Sequence, residues 1–207
     1  MFVTFEGIDG SGKSTQLRLL ADHLQAKGHE VIVTREPGGS KGAEDIRRLL
    51  VEGDPGRWSA ETEILLFTAA RRDHVERLIQ PGLAAGAIVV SDRFADSTRV
   101  YQGATRGDLR ATVDVLHARI IAMEPDLTLV IDMDPDAALA RGLARQSGED
   151  RFEDFGADFQ RKLRDGFLAL TEEYPDRVRL VDGSRDREAV AADVAAIVDA
   201  ALAARPS

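Results

Sequence analysis

The chain of 207 residues contains no cysteine, which excludes disulfide bonds and thiolate metal sites. It contains no asparagine either, so it cannot carry the Asn-Lys-x-Asp element by which GTP-binding switches normally recognise guanine. Long apolar runs are also missing, because Leu83–Val90 is too short and Ala189–Ala204 is interrupted by aspartates. We therefore expect no membrane span. The four histidines show no metal-ligand spacing and are expected to be surface or packing residues.

Basic residues are in the minority, with 27 Lys and Arg against 36 Asp and Glu and a net charge of −9. This balance argues against a nonspecific nucleic-acid or anionic-membrane surface, which needs a positive field. Small phosphorylated ligands remain compatible with it, since a local group of arginines can bind them within an acidic protein. A strand-like run begins at Phe2 with no basic segment before it, so a cytoplasmic protein without a signal peptide is predicted.

Five short apolar runs alternate with amphipathic segments along the chain. The apolar runs are Met1–Glu6, Val31–Thr34, Ala87–Ser91, Leu127–Ile131 and Val178–Val181. Helical spacing of apolar residues covers Lys13–Lys27, Glu44–Val51, Glu61–Ile79, Leu109–Met123, Ala137–Leu143, Glu153–Tyr174 and Arg187–Ala204. Apolar strands separated by helices predict an α/β fold, a five-stranded parallel sheet with helices on both faces. No linker or repeat is visible, so residues 1–207 are predicted to form a single domain.

The clearest motif, G-I-D-G-S-G-K-S-T, follows the first predicted strand and fits the phosphate-binding pattern G-x-x-x-x-G-K-[ST]. Its glycines let backbone N–H groups approach phosphates closely, and the following helix directs its positive end at them. All nine residues are predicted to bind the nucleotide: Gly7, Ile8, Asp9, Gly10, Ser11, Gly12, Lys13, Ser14 and Thr15. Lys13 should reach the β- and γ-phosphates, and Ser14 should ligate Mg²⁺. The motif alone leaves open an ATP-dependent kinase or a motor or partitioning ATPase.

Three further segments bear on this choice. T-R-E-P-G-G-S stands where the second strand should end, and S-D-R-F stands at the end of the third, the edge at which parallel sheets bind ligands. In a predicted helix, Phe67 and Arg71 are four residues apart and share a face, which suits stacking and hydrogen bonding to a flat base. Each segment also has an ordinary interpretation: Phe67 as a core residue, Arg71 as solvated, and Asp92 with Arg93 as a surface salt bridge.

Taken together, the motifs resemble the thymidylate kinase family. They are G-I-D-G-S-G-K-S-T, T-R-E-P-G-G, L-L-F-x-A-x-R, S-D-R-F-x-x-S-x-x-x-Y-Q-G and D-R-F-E, in this order from Phe2 to about Glu153. The resemblance implies a P-loop NTPase fold with a short lid. It also implies phosphorylation of dTMP to dTDP by ATP with Mg²⁺, in dTTP synthesis. A homodimer is implied too, to which an apolar face of Leu109–Met123 or Glu61–Ile79 could contribute.

The resemblance assigns five residues to the acceptor's base and sugar. Phe67 matches the ring that stacks on thymine, and Arg71 matches the side chain that hydrogen-bonds its O4 atom. Gln102 matches a residue beside the base, and Pro37 matches part of the acceptor wall. Tyr101 matches the side chain that lies where a ribose 2′-hydroxyl would be, which favours deoxyribose.

Further residues are assigned to the phosphates and to magnesium. Asp9 matches the acidic residue that holds the acceptor's 3′-hydroxyl and helps to organise the metal ion. Asp92 matches a carboxylate near that ion, and Arg93 matches the arginine that grips the acceptor phosphate. Lys13, Asp9 and Arg93 are accordingly predicted to be catalytic, and Ser14, Asp9 and Asp92 to surround magnesium.

The lid is expected at about residues 141–152. The phosphate-binding motif has no basic residue besides Lys13, and family members of this kind supply an arginine from the lid. Arg141, Arg145 and Arg151 lie in this segment, and Arg145 and Arg151 are predicted to be the catalytic ones. The chain departs from the family pattern at Ser40-Lys41-Gly42, where Thr-Pro-Leu-Gly is more usual.

Two rival functions stay open from the sequence. One is a kinase for another nucleoside monophosphate or for a deoxynucleoside, which differs only in its acceptor. The other is a P-loop ATPase switch that acts by binding a partner. The phosphate-binding role implied for Arg93 and the arginine-rich lid count against the switch.

Overall fold

The computed structural model describes residues 1–53, 56–104, 108–143 and 156–205. Five strands form its sheet: β1 (Phe2–Glu6), β2 (Val31–Arg35), β3 (Ile88–Asp92), β4 (Leu127–Asp132) and β5 (Val178–Asp182). The strand order is β2-β3-β1-β4-β5, and all four pairings are parallel. The predicted five-stranded parallel sheet is confirmed, with strand ends within one residue of the apolar runs.

Helices connect successive strands. They are α1 (Lys13–Ala26), α2 (Lys41–Val51), α3 (Ala60–His74), α4 (Gln80–Ala84), α5 (Ala95–Thr98), α6 (Arg110–Leu116), α7 (Pro135–Leu143), α8 (Gly156–Glu173) and α9 (Arg187–Ala203). Wider π-helical turns continue α3, α5 and α6, over Val75–Ile79, Arg99–Ala104 and His117–Ile121 respectively. None of the helices in the described ranges has both the length and the apolar run needed to cross a bilayer.

Among the described residues, two helical boundaries differ from the predicted ones by three residues or more, and one helical segment was not predicted. Helix α2 begins at Lys41 rather than Glu44, because Glu44 already lies in its first turn and accepts a hydrogen bond from the Gly39 amide. The predicted helix ending at Ile79 continues through α4 to Ala84, and Pro81 lies in the first turn of α4. The helix over Ala95–Thr98 and its π-helical continuation had no matching periodic pattern.

The sheet is covered on both faces, as predicted. Alternate residues of a strand point to opposite faces, and β4 shows this directly. Leu129 and Ile131 pack in one cluster with apolar residues of α1 and α9, whereas Val130 packs in another with residues of α7 and α8. A third cluster joins Phe2 of β1 to the helical segment after α3.

Parallel pairing places three sequence motifs at one edge of the sheet. Phe5 of β1 and Arg35 of β2 both pair with Asp92, the last residue of β3. The phosphate-binding motif follows β1, T-R-E-P-G-G spans the end of β2, and D-R-F begins at the end of β3. All three therefore meet beyond the carboxyl ends of adjacent strands, where ligands bind in sheets of this kind.

Candidate active site

The loop between β1 and α1 depends on its glycines. Gly7, Gly10 and Gly12 have φ angles of 131°, 81° and 102°, a region that L side chains rarely adopt. A Cβ atom on Gly7 would lie 2.5 Å from the Ile131 carbonyl oxygen, and one on Gly10 would lie 2.0 Å from that of Ala138. The loop thus packs directly against β4 and α7, in a backbone conformation that can turn N–H groups toward an anion.

Lys13 is held at the start of α1 with only 6% of its side chain exposed. Its Nζ atom donates to the Ile8 carbonyl oxygen at 2.8 Å and lies 3.7 Å from Oδ1 of Asp9. Burial, with the nearby Arg93 adding to it, lowers the pKa of Lys13 from 10.5 to about 8, against the opposing effect of the carboxylates. A buried cation with few compensating contacts favours an anionic ligand.

Ser14 and Asp92, both predicted to surround magnesium, lie together beside this loop. The Ser14 hydroxyl donates to Oδ2 of Asp92 at 2.5 Å, across the gap between α1 and β3. Magnesium prefers oxygen ligands and is commonly held by one or two side chains plus substrate phosphates. This donor pair fits such an ion. Within the described ranges, no group of three or more His, Asp or Glu side chains forms an additional metal cluster.

Arg93 lies across the mouth of the phosphate-binding loop. Its Nη1 atom donates to the Gly7 carbonyl oxygen at 3.1 Å and to the Ser97 hydroxyl at 2.9 Å. Its Nη2 atom donates to Oδ1 of Asp9 at 2.5 Å and to the Tyr101 hydroxyl at 3.2 Å. Its backbone adopts a φ of 71°, which is uncommon for a residue other than glycine. The carboxylate that Arg93 binds is therefore Asp9, and not its sequence neighbour Asp92.

Asp9 and Tyr101 complete this group. The Tyr101 hydroxyl donates to Oδ2 of Asp9 at 3.1 Å, and the Asp9 side chain keeps 36% of its surface exposed. Burial alone would raise the pKa of Asp9, but Arg93 and Lys13 outweigh it and hold the pKa at about 2. Burial, with a contribution from Asp9, raises the pKa of Tyr101. Asp9 is thus a carboxylate, and Tyr101 a neutral phenol, throughout the physiological pH range.

Glu6 is a member of the site that the sequence interpretation missed. Its fully buried carboxyl group accepts hydrogen bonds from the Phe94 amide at 2.8 Å, the Ser97 amide at 3.3 Å and the Ser97 hydroxyl at 2.5 Å. It therefore fixes the start of α5 and the turn that carries Arg93. Burial and the nearby Asp96 raise its pKa from 4.5 to about 7, against the lowering effect of Arg93. The sequence indicated Glu6 only by placing an acidic residue at the end of a strand predicted to be buried.

Of the residues predicted to bind the base, Phe67 and Arg71 lie on α3, and Gln102 lies on the adjoining Arg99–Ala104 segment. Phe67 is partly buried on α3, and Gln102 is buried and donates to Oε2 of Glu63 at 3.3 Å. Arg71 is buried rather than solvated, and its Nη2 atom donates to the Thr98 hydroxyl at 2.9 Å and the Phe94 carbonyl oxygen at 3.1 Å. Its guanidinium also lies 5.1 Å from the centroid of the Phe94 ring.

Glu36 and His74 also contact the predicted base site, although neither was predicted to be a site residue. Glu36, in T-R-E-P-G-G, accepts from Nε of Arg71 at 2.7 Å, and its other oxygen lies 3.0 Å from Nδ1 of His74. Nε2 of His74 lies 2.7 Å from the Thr34 hydroxyl. The spacing of Arg71 and His74, three residues apart on one helix, indicated that they are neighbours. Their shared partner Glu36 lies too far away in the sequence for such a pattern to reveal it.

The loop after Glu36 explains part of the departure at Ser40-Lys41-Gly42. The Glu36–Pro37 peptide is cis, Pro37 is partly buried, and its carbonyl oxygen accepts from Nη1 of Arg47. The Ser40 hydroxyl donates to Oδ2 of Asp73 at 2.6 Å, so this variant of the loop is tied to α3. A Cβ atom at Gly42 would lie 2.8 Å from the same carboxylate oxygen. Ser40 therefore hydrogen-bonds to Asp73, and the lack of a side chain at Gly42 leaves room for it.

Only the beginning of the expected lid lies in the described part of the chain. Arg141 is exposed on α7, and its Nη1 atom lies 3.5 Å from the Gly183 carbonyl oxygen. Arg145 and Arg151, the two lid arginines predicted to be catalytic, lie outside the described residues. Their assignment stays a prediction.

Comparison of the chain with known proteins identifies its family. The family model for thymidylate kinase matches residues 5–194. A thymidylate kinase of Dinoroseobacter shibae is 70% identical over 194 residues, which is 94% of each chain. That of Ruegeria pomeroyi is 67% identical over 198 residues, or 96% of this chain and 94% of that protein. A crystal structure of thymidylate kinase from Ehrlichia chaffeensis is 35% identical, superposes with a TM-score of 0.78 and covers 96% of this chain and 98% of its own. The chain therefore belongs to the thymidylate kinase family.

Proposed function

We propose that this enzyme transfers the terminal phosphoryl group of ATP to dTMP, giving dTDP for dTTP synthesis. The observation that carries the proposal is the position of Arg93, whose guanidinium hydrogen-bonds to the backbone of the phosphate-binding loop at Gly7. A cation for a second phosphate group thus adjoins the loop that binds the first. Two phosphorylated molecules bound at these places would meet, as direct phosphoryl transfer requires.

On the donor side, the loop over residues 7–15 would bind the ATP phosphates through its backbone amides and through Lys13. Little covalent chemistry is needed for phosphoryl transfer, so positioning and charge compensation dominate. The buried ammonium of Lys13 suits this role because an incoming polyphosphate supplies the anionic partner that burial otherwise denies it. We assign the remaining compensation to Arg145 and Arg151, because Lys13 is the one basic residue in the loop sequence.

On the acceptor side, Arg93 would bind the dTMP phosphate. Guanidinium groups remain protonated and bind phosphate oxygens through two parallel N–H groups. Nη2 of Arg93 donates to both Asp9 and Tyr101. The same two side chains are assigned to the acceptor sugar, Asp9 to its 3′-hydroxyl and Tyr101 to the place of a 2′-hydroxyl. The acceptor would therefore displace contacts that already hold its binding groups together.

The base would lie between α3 and the segment that follows α5. Phe67 is partly buried and available for stacking on thymine, while Arg71 and Gln102 would contact its polar edge, with Pro37 as part of the wall. Arginine has only donors. It therefore suits the O4 carbonyl of thymine and opposes the amino group that cytosine carries at the same position.

Magnesium would be held by Ser14 and Asp92, together with the nucleotide phosphates, with Asp9 helping to organise its surroundings. The hydroxyl and carboxylate already in contact offer the hard oxygen donors that this ion prefers. When bound, the ion would neutralise phosphate charge during transfer. Lys13 and Arg93 supply compensation of the same sign from this chain.

We also propose a homodimer and a cytoplasmic location. Large apolar side chains are exposed on α3 and on the α6 segment, including Leu65 at 58%, Val115 at 62% and Ile120 at 42%. These two elements adjoin, because Nη1 of Arg72 donates to the Ile120 carbonyl oxygen at 2.8 Å. Exposed apolar area on adjacent elements favours association with a second copy. ATP and dTMP are cytoplasmic metabolites, which is the reason for the proposed location.

The test is a screen of acceptors with ATP and Mg²⁺, following ADP release and identifying the product. We expect dTMP to be phosphorylated in preference to dUMP, UMP, CMP and AMP, with dTDP as product. A preference for another monophosphate would replace the proposal with a different nucleoside monophosphate kinase. ATP hydrolysis that no acceptor stimulates would instead favour a P-loop ATPase switch.

A further inference from the structure

A buried chain of polar side chains extends from β2 to Arg71. Thr34, His74, Glu36 and Arg71 are joined in sequence by contacts of 2.7, 3.0 and 2.7 Å. The side chains of Arg71, Glu36 and His74 are 3%, 4% and 0% exposed, respectively. Buried polar groups in such an arrangement restrict one another to a single geometry. Nothing in the phosphate chemistry described above requires this chain.

The order of donors in this chain follows from elementary chemistry. A carboxylate can only accept hydrogen bonds, so Nδ1 of His74 must carry a proton and donate to Glu36. With a neutral imidazole, Nε2 then accepts from the Thr34 hydroxyl. His74 thus fixes one oxygen of Glu36, and the other oxygen fixes Nε of Arg71.

The same chain sets the charge that Arg71 presents to a ligand. Glu36 compensates its positive charge within the protein, so Arg71 offers N–H donors without a net demand for an anion. Nε and Nη2 are engaged by protein acceptors, and Nη1 makes no hydrogen bond to the residues that the structure describes. A compensated guanidinium with a free donor nitrogen suits a neutral carbonyl oxygen. Arg93, beside the phosphate-binding loop, is the guanidinium positioned for a phosphate.

We propose that Glu36 and His74 are positioning residues for the acceptor base, acting through the orientation and charge of Arg71. The inference rests on the proposed function, since it presumes a base with a carbonyl edge between α3 and the segment after α5. It goes beyond that function by explaining selectivity for the base through residues that need not touch it. Neither side chain is expected to affect ATP binding or the transfer step.

The protein offers a matched control in Arg72, the next residue of the same helix, and its partner Glu76. Arg72 pairs with Glu76 at 2.5 Å, but both side chains are 43% exposed, and this pair adjoins Ile120 rather than the base site. Glu76→Gln removes the same carboxylate charge from an arginine ion pair at the surface. It should leave the KM for dTMP, the KM for ATP and kcat unchanged.

The experiment compares Glu36→Gln, Arg71→Met and the double variant in steady-state kinetics. Glutamine can still accept from Arg71 while its amide donates to the other tautomer of His74, so the packing survives and the charge is lost. In each single variant we expect the KM for dTMP to rise about tenfold or more, as for loss of a charge-assisted hydrogen bond. The KM for ATP and kcat should change little, and discrimination against dCMP should weaken. In the Arg71→Met background, Glu36→Gln should add almost nothing, since its effect passes through Arg71.

Additive effects of Glu36→Gln and Arg71→Met on the KM for dTMP would overturn the inference. So would an unchanged KM for dTMP in Glu36→Gln, or an equal rise in the KM for dTMP and the KM for ATP. A wild-type enzyme that ignores dTMP would refute the proposed function itself, which distinguishes the two failures. If Glu36→Gln does not fold, two variants of His74 provide the test. His74→Ala should raise the KM for dTMP, and His74→Gln, whose amide can bridge Glu36 and Thr34, should restore it. Equal KM values for both His74 variants and the wild type would then overturn the inference.

Discussion

Binding of ATP should be coupled to uptake of a proton by Lys13. The ammonium is buried, and burial lowers its pKa to about 8 in the free protein. A polyphosphate beside it would remove that penalty and return the pKa to at least its ordinary value of 10.5. At pH 8 about half of the free Lys13 is unprotonated, so each binding event should take up about half a proton. The uptake should fall to about one tenth of a proton at pH 7 and rise to about nine tenths at pH 9.

The sign of the effect on affinity follows from this uptake. Above pH 8 the free protein must first acquire a proton, so the affinity for ATP should fall as pH rises, approaching about tenfold per pH unit. The difference between 10.5 and about 8 corresponds to about 3 kcal/mol by which the fold disfavours the charged form. Since the folded chain binds fewer protons than the unfolded one between these values, Lys13 makes the free energy of unfolding rise with pH there.

The assay is calorimetric titration with ATP at pH 8 in several buffers of different ionisation enthalpy. The slope of the observed enthalpy against that of the buffer gives the number of protons exchanged. Lys13→Arg should abolish the uptake, because a guanidinium stays protonated at this pH. Glu6→Gln should preserve it, which separates Lys13 from Glu6, the other nearby group with a pKa close to neutrality. Identical enthalpies in all buffers, or uptake abolished only in Glu6→Gln, would refute the reasoning.

Two further predictions concern the acceptor side. Arg93→Ala should reduce dTMP turnover about a thousandfold or more, by analogy with the arginines of other phosphoryl-transfer enzymes, while ATP binding measured by calorimetry persists; near-normal ADP release in a coupled assay would contradict the assigned role. Tyr101→Ala should raise the rate with ribonucleotide acceptors relative to deoxyribonucleotides, although it also removes a hydroxyl that supports Asp9. A ratio of the two rates that does not change would rule out the steric account of sugar choice.

The sheet was predictable because its strands are buried on both faces and therefore appear as short apolar runs. The segment over Ala95–Ala104 was not, because its helical turns are stabilised by polar contacts that have no period in the sequence. Asp96 and Arg99 are buried and paired at 2.7 Å, and Asp96 also accepts from Arg177. A pattern of apolar residues does not reveal a helical segment whose buried side chains mix an ion pair with apolar residues such as Val100.

Proximity along a helix was likewise predictable in the site, and proximity across the fold was not. The shared face of Phe67 and Arg71 follows from their spacing of four residues. The contact between Asp9 and Arg93 joins residues 84 positions apart, and parallel strands bring them together only once their order in the sheet is known. Glu36 has a place in a family motif, yet its contact with His74 joins it to a residue on a different element.

The contact between Gly10 and α7 has a mechanical consequence. The backbone of the phosphate-binding loop approaches Ala138 so closely that not even a methyl group could be inserted between them. Any tilt of α7 toward the loop must therefore displace the loop, and any ligand that pushes the loop back must press on α7. Helix α7, which leads into residues 144–155, and the loop proposed to bind the nucleotide should therefore move together.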